Sequence, residues 1–358
     1  MKDSRRQFLS LAGLTALGVG MSGKAAISKD FVETGKLPES GLISNESDKI
    51  LPSSLKSGST IAITAPASPT SMYEIRHGIK FYKSMGCKIV VGETISKQRN
   101  ENRYLSAKDH DRAEEFMSFI NDDAIDAIVC ARGGYGSMRI LPYLDFEQIK
   151  KNPKIVIGFS DITALLNAIY KKTGLVTFHG PVASMEVDTQ SSQSLKTVLF
   201  NNIVYPGNYI KKDNAIVINP GIASGELVGG NLTVYTSLMG TEYDIDTSGK
   251  ILFLEDVSEN GYQVDRMITQ LLLAGKIQSA SAVVFGVFKN LNVRRPFFPN
   301  RGYSILEVIE QLVKPTMIPT IVGFPFGHIS GKVTLPIGIN AEINTEKKTL
   351  KFSENTVS

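Results

Sequence analysis

Only four histidines and two cysteines occur in this sequence, so the setting of each candidate for nucleophilic or acid–base chemistry carries weight. In "KIVIGFSDITALLNAIY" (154–170) an apolar run climbs to Gly158, Ser160 follows two residues later, and Asp161 opens a helical pattern. In an open parallel sheet, reactive groups collect at the carboxyl ends of the strands. A tight strand-to-helix turn there pushes a serine hydroxyl outward. It also sets the Asp161 N–H at a helix start, where developing negative charge is stabilised. Ser160 is thus a candidate nucleophile, with the Asp161 N–H as an oxyanion donor. The letters Gly158-Phe159-Ser160-Asp161 are not the G-x-S-x-G of the nucleophile elbow. From residue type alone, a serine that caps the next helix is the commoner reading.

"ARGGYGSMR" (131–139) follows the preceding strand and borders the same sheet end. Its glycines permit close backbone approach, so an N–H of Gly133 or Gly134 can complete an oxyanion hole. Arg132 can meet a substrate carboxylate through a bidentate pair. Arg294 and Arg295, in "NVRRPFF", are alternatives for that cation. The loop lacks the Lys-Ser/Thr ending of a P-loop and is not G-x-G-x-x-G.

A serine nucleophile needs a base, and the base an orienting acceptor. There are four histidines. His77 and His110 lie in helical patterns and read as exposed polar residues. His179 ends the strand after Ser160 ("VTFHGP") and can line the site. His328 lies in a glycine-framed loop ("GFPFGHISG"), a setting suited to function. Glu255, in "ILFLEDV", is the most suggestive acid, because four apolar residues lead into it and a strand-end carboxylate needs a partner. A neighbouring cation such as Arg266 is the plainer choice of partner.

The block from "ARGGYGSMRILPYLDF" through "KIVIGFSDITALLNAIYKKTGLVTFHGPV" resembles the LD-carboxypeptidase family of serine peptidases. That family includes murein tetrapeptide LD-carboxypeptidases and microcin C immunity peptidases. "GELVGGNLTVYTSLMGTEYDID", "KILFLEDVSENGYQVDRMITQLLLAG" and "FPFGHISGKVTLPIG" resemble it in the same order, so the likeness spans roughly 58–352. The resemblance implies a Ser…Glu…His triad at Ser160, Glu255 and His328. It also implies an oxyanion hole from Asp161 with Gly134 or Gly133, and Arg132 and Tyr135 near the substrate. Further implications are release of D-Ala from murein stem peptides without metal or organic cofactor, and a homodimer. A related enzyme cleaving a peptide–nucleotide amide is the alternative. A non-catalytic murein-peptide binder would predict loss of a triad member, and all three positions are filled.

Strand and helix signals alternate from "TIAITAPAS" (60–68) to "LVTFHGPV", which implies an α/β domain with a parallel, flavodoxin-like sheet. Ser106 reads as the N-cap of the helix in "SAKDHDRAEEFMSFIND". The expected organisation is a nucleophile domain at 58–187, a polar interdomain linker at 188–214 with one short helix, and a mixed α/β domain with a β-barrel-like core at 215–358. The last of these carries Glu255 and His328.

Ahead of these, "SRRQFLSLAGLTALGVGMSGKAA" has paired Arg5-Arg6, a weakly apolar core and small residues near a cut site. It resembles a twin-arginine export signal over residues 1–27, with a polar linker at 28–57. Export, to the periplasm, is the expectation, although tetrapeptide LD-carboxypeptidases of recycling are typically cytoplasmic. Net charge is +4, from 39 basic and 35 acidic residues, too weak to argue for nucleic acid. The two cysteines, Cys87 and Cys130, sit in apolar runs without a CxxC or His partner. They read as buried thiols and not as a metal site.

Overall fold

The computed structural model describes residues 49–96, 104–200, 209–289, 291–293 and 302–358. The signal-like segment, the linker up to residue 48, and Arg294 and Arg295 lie outside these residues.

Five short β-branched runs form the first sheet: β1 (Thr60–Thr64), β2 (Lys88–Val91), β3 (Ala127–Cys130), β4 (Ile155–Gly158) and β5 (Thr177–His179). β3, β4 and β5 are buried throughout, as expected for parallel strands covered on both faces. They pair in parallel in the order β2-β1-β3-β4-β5, the flavodoxin-like order, in which the ligand crevice opens outside the strand ends. The loops after β1, β3 and β4 all leave from that end. The Ser68 N–H donates to the Gly133 carbonyl at 3.3 Å, and the Tyr135 N–H donates to Ser68 Oγ at 3.1 Å.

The second half supplies β6 (Tyr209–Lys211), β7 (Ile216–Asn219), β8 (Ile222–Asn231), β9 (Ile251–Glu255), β10 (Ala282–Phe285), β11 (Thr320–Val322), β12 (Leu335–Ile337), β13 (Asn340–Asn344) and β14 (Thr349–Phe352). Eight of these form a mixed sheet in the order β6-β14-β13-β8-β9-β10-β11-β7, with β8 through β11 parallel at its centre. The helices Gly261–Leu273 and Ile305–Val313 bury Val264, Ile268, Leu271, Val308 and Ile309 in the second core.

β12 leaves its neighbours and pairs antiparallel with β5, Leu335 opposite His179, so the first sheet is completed by a strand from the second half. The helix Thr163–Thr173 joins the halves again: Asn167 Nδ2 donates to the Gly229 carbonyl at 2.8 Å, and the Asn231 N–H donates to Thr163 Oγ1 at 2.9 Å.

Three sequence expectations change. Residues 49–57, read as linker, pack on the body: Ile50 bridges Leu175, Leu55 is buried, and the Ser54 N–H donates to the Ser358 carbonyl at 3.0 Å. Apolar Ile50, Pro52 and Leu55 give this stretch a reason to dock. Within 188–214 the one short helix expected is present as Thr189–Phe200, but it buries Leu195, Val198 and Leu199 against the first core, so this part is packed and is no open linker. Ser106 is not a cap. The helix begins at Asp109 with Lys108 before it, and Ser106 Oγ turns inward to the Ala65 carbonyl. Cys87 and Cys130 are buried free thiols.

Candidate active site

Ser160 leaves β4 with φ of +63°, a left-handed conformation that costs a residue with a Cβ about 1–2 kcal/mol. The turn Ser160–Ile162 takes Phe159 as its N-cap, and the helix after it takes Ile162, both without a side-chain cap bond. Ser160 is therefore not spent on capping. Among the described residues its half-buried hydroxyl has no hydrogen-bond partner. Asp161 anchors the turn instead. Its side chain accepts the Ser137 N–H at 2.8 Å and its carbonyl accepts the Ser137 hydroxyl. This ties the serine turn to the segment just after the glycine loop.

Gly133 lies against that turn. A Cβ built on it would fall 2.9 Å from Ser160 Cβ and 3.2 Å from Ser160 Oγ. Only glycine lets the loop backbone come this near the hydroxyl. Gly134 and Tyr135 continue over Ser68, and Tyr135 is exposed. Arg132 is half exposed, with Nη1 3.8 Å from Glu74 Oε1.

Glu255 closes β9 at 0% exposure, opposite Asn231 at the end of β8. Its Oε2 is 2.8 Å from His328 Nδ1. Its Oε1 accepts Asn231 Nδ2 at 3.4 Å, and the same amide donates to Asp256 Oδ1 at 3.0 Å. Arg266 is not the partner of Glu255. His328 and Asn231 fill that place. The His328 ring lies 4.8 Å from the Phe159 ring, centroid to centroid, one residue from Ser160. Thus Glu255 at the end of β9 and His328 in the loop after β11 are in direct contact, and the His328 ring packs on Phe159, the residue before Ser160 at the end of β4.

The remaining histidines separate cleanly. His110 is exposed on its helix and His77 is half buried on another. His179 does not line an open cleft. It is 1% exposed, and its Nε2 lies 4.0 Å from Glu255 Oε1.

Several groups here escaped sequence reading. Asp256, held by the Thr233 N–H and hydroxyl, the Val257 N–H and Asn231 Nδ2, has its acidity weakened by burial, against which those bonds work. Lys332, four residues past His328, is buried. Its Nζ sits 3.0 Å from Met185 Sδ and 4.5 Å over the Phe159 ring. Burial pushes this ammonium down to about 8, against the pull of Glu255 and Asp188. The "ED" pair and the "GGN" ahead of it were the available signals for Asp256 and Asn231. Lys332, in "SGKVT", offered none. Among the described residues no cluster of His, Cys, Asp and Glu suits a metal ion.

Residues 61–180 match the LD-carboxypeptidase N-terminal domain and residues 224–343 the LD-carboxypeptidase C-terminal domain. The chain belongs to the LD-carboxypeptidase family. Within it, the chain is 36% identical over 302 residues to the protein named "Probable murein peptide carboxypeptidase" of Bacillus subtilis (strain 168), covering 83% of this chain and 92% of that one. Its fold matches the microcin C7 self-immunity protein MccF with TM-score 0.76 at 27% identity, over 86% of this chain and 100% of that one. It matches a muramoyltetrapeptide carboxypeptidase from Oxalobacter formigenes with TM-score 0.70 at 28% identity, over 83% of this chain and 99% of that one. The two domain matches place Ser160 in the N-terminal domain of an LD-carboxypeptidase and Glu255 and His328 in the C-terminal one.

Proposed function

We propose that this peptidase is a serine-type LD-carboxypeptidase that releases the terminal D-Ala of murein tetrapeptides through Ser160, His328 and Glu255. The observation that carries the reading is the 2.8 Å contact of His328 Nδ1 with a fully buried Glu255, with the His328 ring 4.8 Å from that of Phe159, the residue before a strained and unpartnered Ser160. His328 Nε2 takes the Ser160 proton as Oγ bonds to the carbonyl carbon. The oxyanion forms against the Asp161 N–H and that of Gly133 or Gly134. Such donors contribute roughly 3–4 kcal/mol each to the transition state. The C–N bond then breaks, and His328 gives its proton to the departing amine of D-Ala. Water attacks the acyl group with His328 again as base, the acyl–oxygen bond breaks, and Ser160 recovers its proton. Glu255 fixes the ring and stabilises its charged form throughout. Ser160 and His328 sit without a mutual hydrogen bond here, and such contacts commonly tighten only when substrate binds.

Arg132 takes the terminal carboxylate in this scheme, in place of Glu74, and Tyr135 borders the same mouth. Export by the Arg5-Arg6 signal would deliver the enzyme to intact wall or its shed fragments. A homodimer is part of the proposal, testable by light scattering.

The test is mass spectrometry of protein lacking residues 1–27 with L-Ala-γ-D-Glu-meso-diaminopimelate-D-Ala, beside Ser160→Ala. Loss of one alanine with the native serine only is the expected result. The likeness to MccF, solved in complex with aspartyl sulfamoyl adenosine, favours a second reading, cleavage of a peptide–nucleotide amide. Turnover of a peptidyl nucleotide, with the tetrapeptide left intact, would select it.

A further inference from the structure

Glu255 is fully buried, yet its two oxygens are unequally served. Oε2 has His328 at 2.8 Å. Oε1 has only the Asn231 amide at 3.4 Å, shared with Asp256. A buried carboxylate normally gathers several donors or a cation. The groups facing it are Asn231 from β8, Asp256 next to it in the chain, His328 and Lys332 from the loop between β11 and β12, and His179 from β5. Among the described residues the cation, Lys332, forms no ion pair with it within 4.0 Å.

His179 is the other half of this mismatch. It is enclosed by the rings of Phe159, Phe253 and Phe326, and neither ring nitrogen has a hydrogen-bond partner. A buried imidazole with both nitrogens idle is unusual in a native fold and calls for a reason. Its Nε2 lies 4.0 Å from Glu255 Oε1, about 1 Å beyond an N–H···O bond, and no hydrogen bond of the described residues engages that nitrogen. Burial, with His328 and Lys332 adding to it, pushes His179 down to about 3, so the ring is neutral across the ordinary pH range.

We propose that His179 is a positioning residue whose neutral Nε2–H serves Glu255 Oε1 and holds the carboxylate with Oε2 aimed at His328. A neutral donor fixes orientation while leaving the negative charge of Glu255 available to the imidazolium that forms on His328. A lysine or arginine in its place would neutralise the charge the mechanism needs. The inference rests on the Ser160–His328–Glu255 reading.

Two measurements separate them. In full-length protein with 15N-labelled histidine, long-range 1H–15N spectra should show His179 as the Nε2–H tautomer, with a resonance that moves in Glu255→Gln. An Nδ1–H tautomer, or no response to Glu255→Gln, overturns the proposal whatever the substrate is. In kinetics, His179→Phe should lower kcat by at least about tenfold with KM within about twofold, and His179→Gln should regain most of it. Unchanged kcat in His179→Phe, or equal loss in a folded His179→Gln, also overturns it. Retained turnover in Ser160→Ala would sink the triad reading instead, and the tautomer would still decide on the His179–Glu255 contact.

Discussion

A methyl group on Gly327 would fall 2.8 Å from Glu255 Oε2, the oxygen that His328 holds at 2.8 Å. The glycine before His328 thus leaves room for that histidine's carboxylate partner. Its φ of +108° also disfavours any side chain. Gly327→Ala should therefore lower stability by about 1–3 kcal/mol and lower kcat by more than the stability loss alone would explain. Denaturant titration with kinetics on the folded fraction checks this. Unchanged kcat would mean that the loop yields without moving Glu255.

Ser160 makes a paired prediction. Ser160→Ala and Ser160→Gly should both lose turnover by roughly 10⁴-fold or more. Ser160→Gly should be the more stable of the two, because φ of +63° suits a residue without Cβ; relief of about 1–2 kcal/mol of strain, less the greater unfolded freedom of glycine, leaves an advantage of up to about 1 kcal/mol. Equal urea midpoints would show that the turn relaxes once the hydroxyl is gone.

Gly133→Ala forces a Cβ to 2.9 Å from Ser160 Cβ and 3.2 Å from the Phe159 carbonyl. Turnover should fall by at least about tenfold with only a modest change in Tm, since the clash falls on the loop and not on the core. Near-normal kcat would argue that this loop takes no part in holding the oxyanion.

Acid stability follows from His179, which burial pushes down to about 3. The unfolded chain binds a proton near pH 6.5 and the native state does not, so stability is complete above pH 6.5 and declines as pH falls towards 3. The slope approaches roughly 1.4 kcal/mol per pH unit from this one group. His179→Gln should flatten the wild-type decline in urea titrations at pH 7, 5.5 and 4.5. A variant with the parent slope would place the proton uptake elsewhere.

Lys332 acts in the opposite range. Burial lowers it to about 8, so between pH 8 and 10.5 the unfolded chain holds more protons and its contribution to stability rises with pH. Below pH 8 the buried charge is a standing cost. Lys332→Met should match or exceed the parent at pH 7 and lose this alkaline gain. A large destabilisation at pH 7 would instead assign the ammonium a favourable role over the Phe159 ring.

Ser160 and the Gly133 loop could be read from sequence because each is a local event, an apolar strand breaking into a turn. Glu255 was legible for the same reason, through the four apolar residues before it. His328 needed its glycine frame and a family likeness. What stayed hidden depends on register between distant strands. Asn231 meets Glu255 because β8 and β9 pair in parallel at that offset. His179 sits behind the site because β12 crosses to cover β5. Hydroxyl direction was equally hidden: Ser106 has a cap's residue type but hydrogen-bonds inward.

If the proposed triad holds, that crossing of β12 bears on when activity can appear during synthesis. The ribosome delivers β1 through β5, and with them Ser160, long before Leu335 arrives to pair with His179. Until then the β5 edge lacks its β12 partner. On the proposed triad, the nascent chain would carry Ser160 without its base. Such long-range pairing forms slowly. On that reading, competence for cleavage would wait for the last third of the chain, which brings both His328 and the β12 strand that pairs with β5.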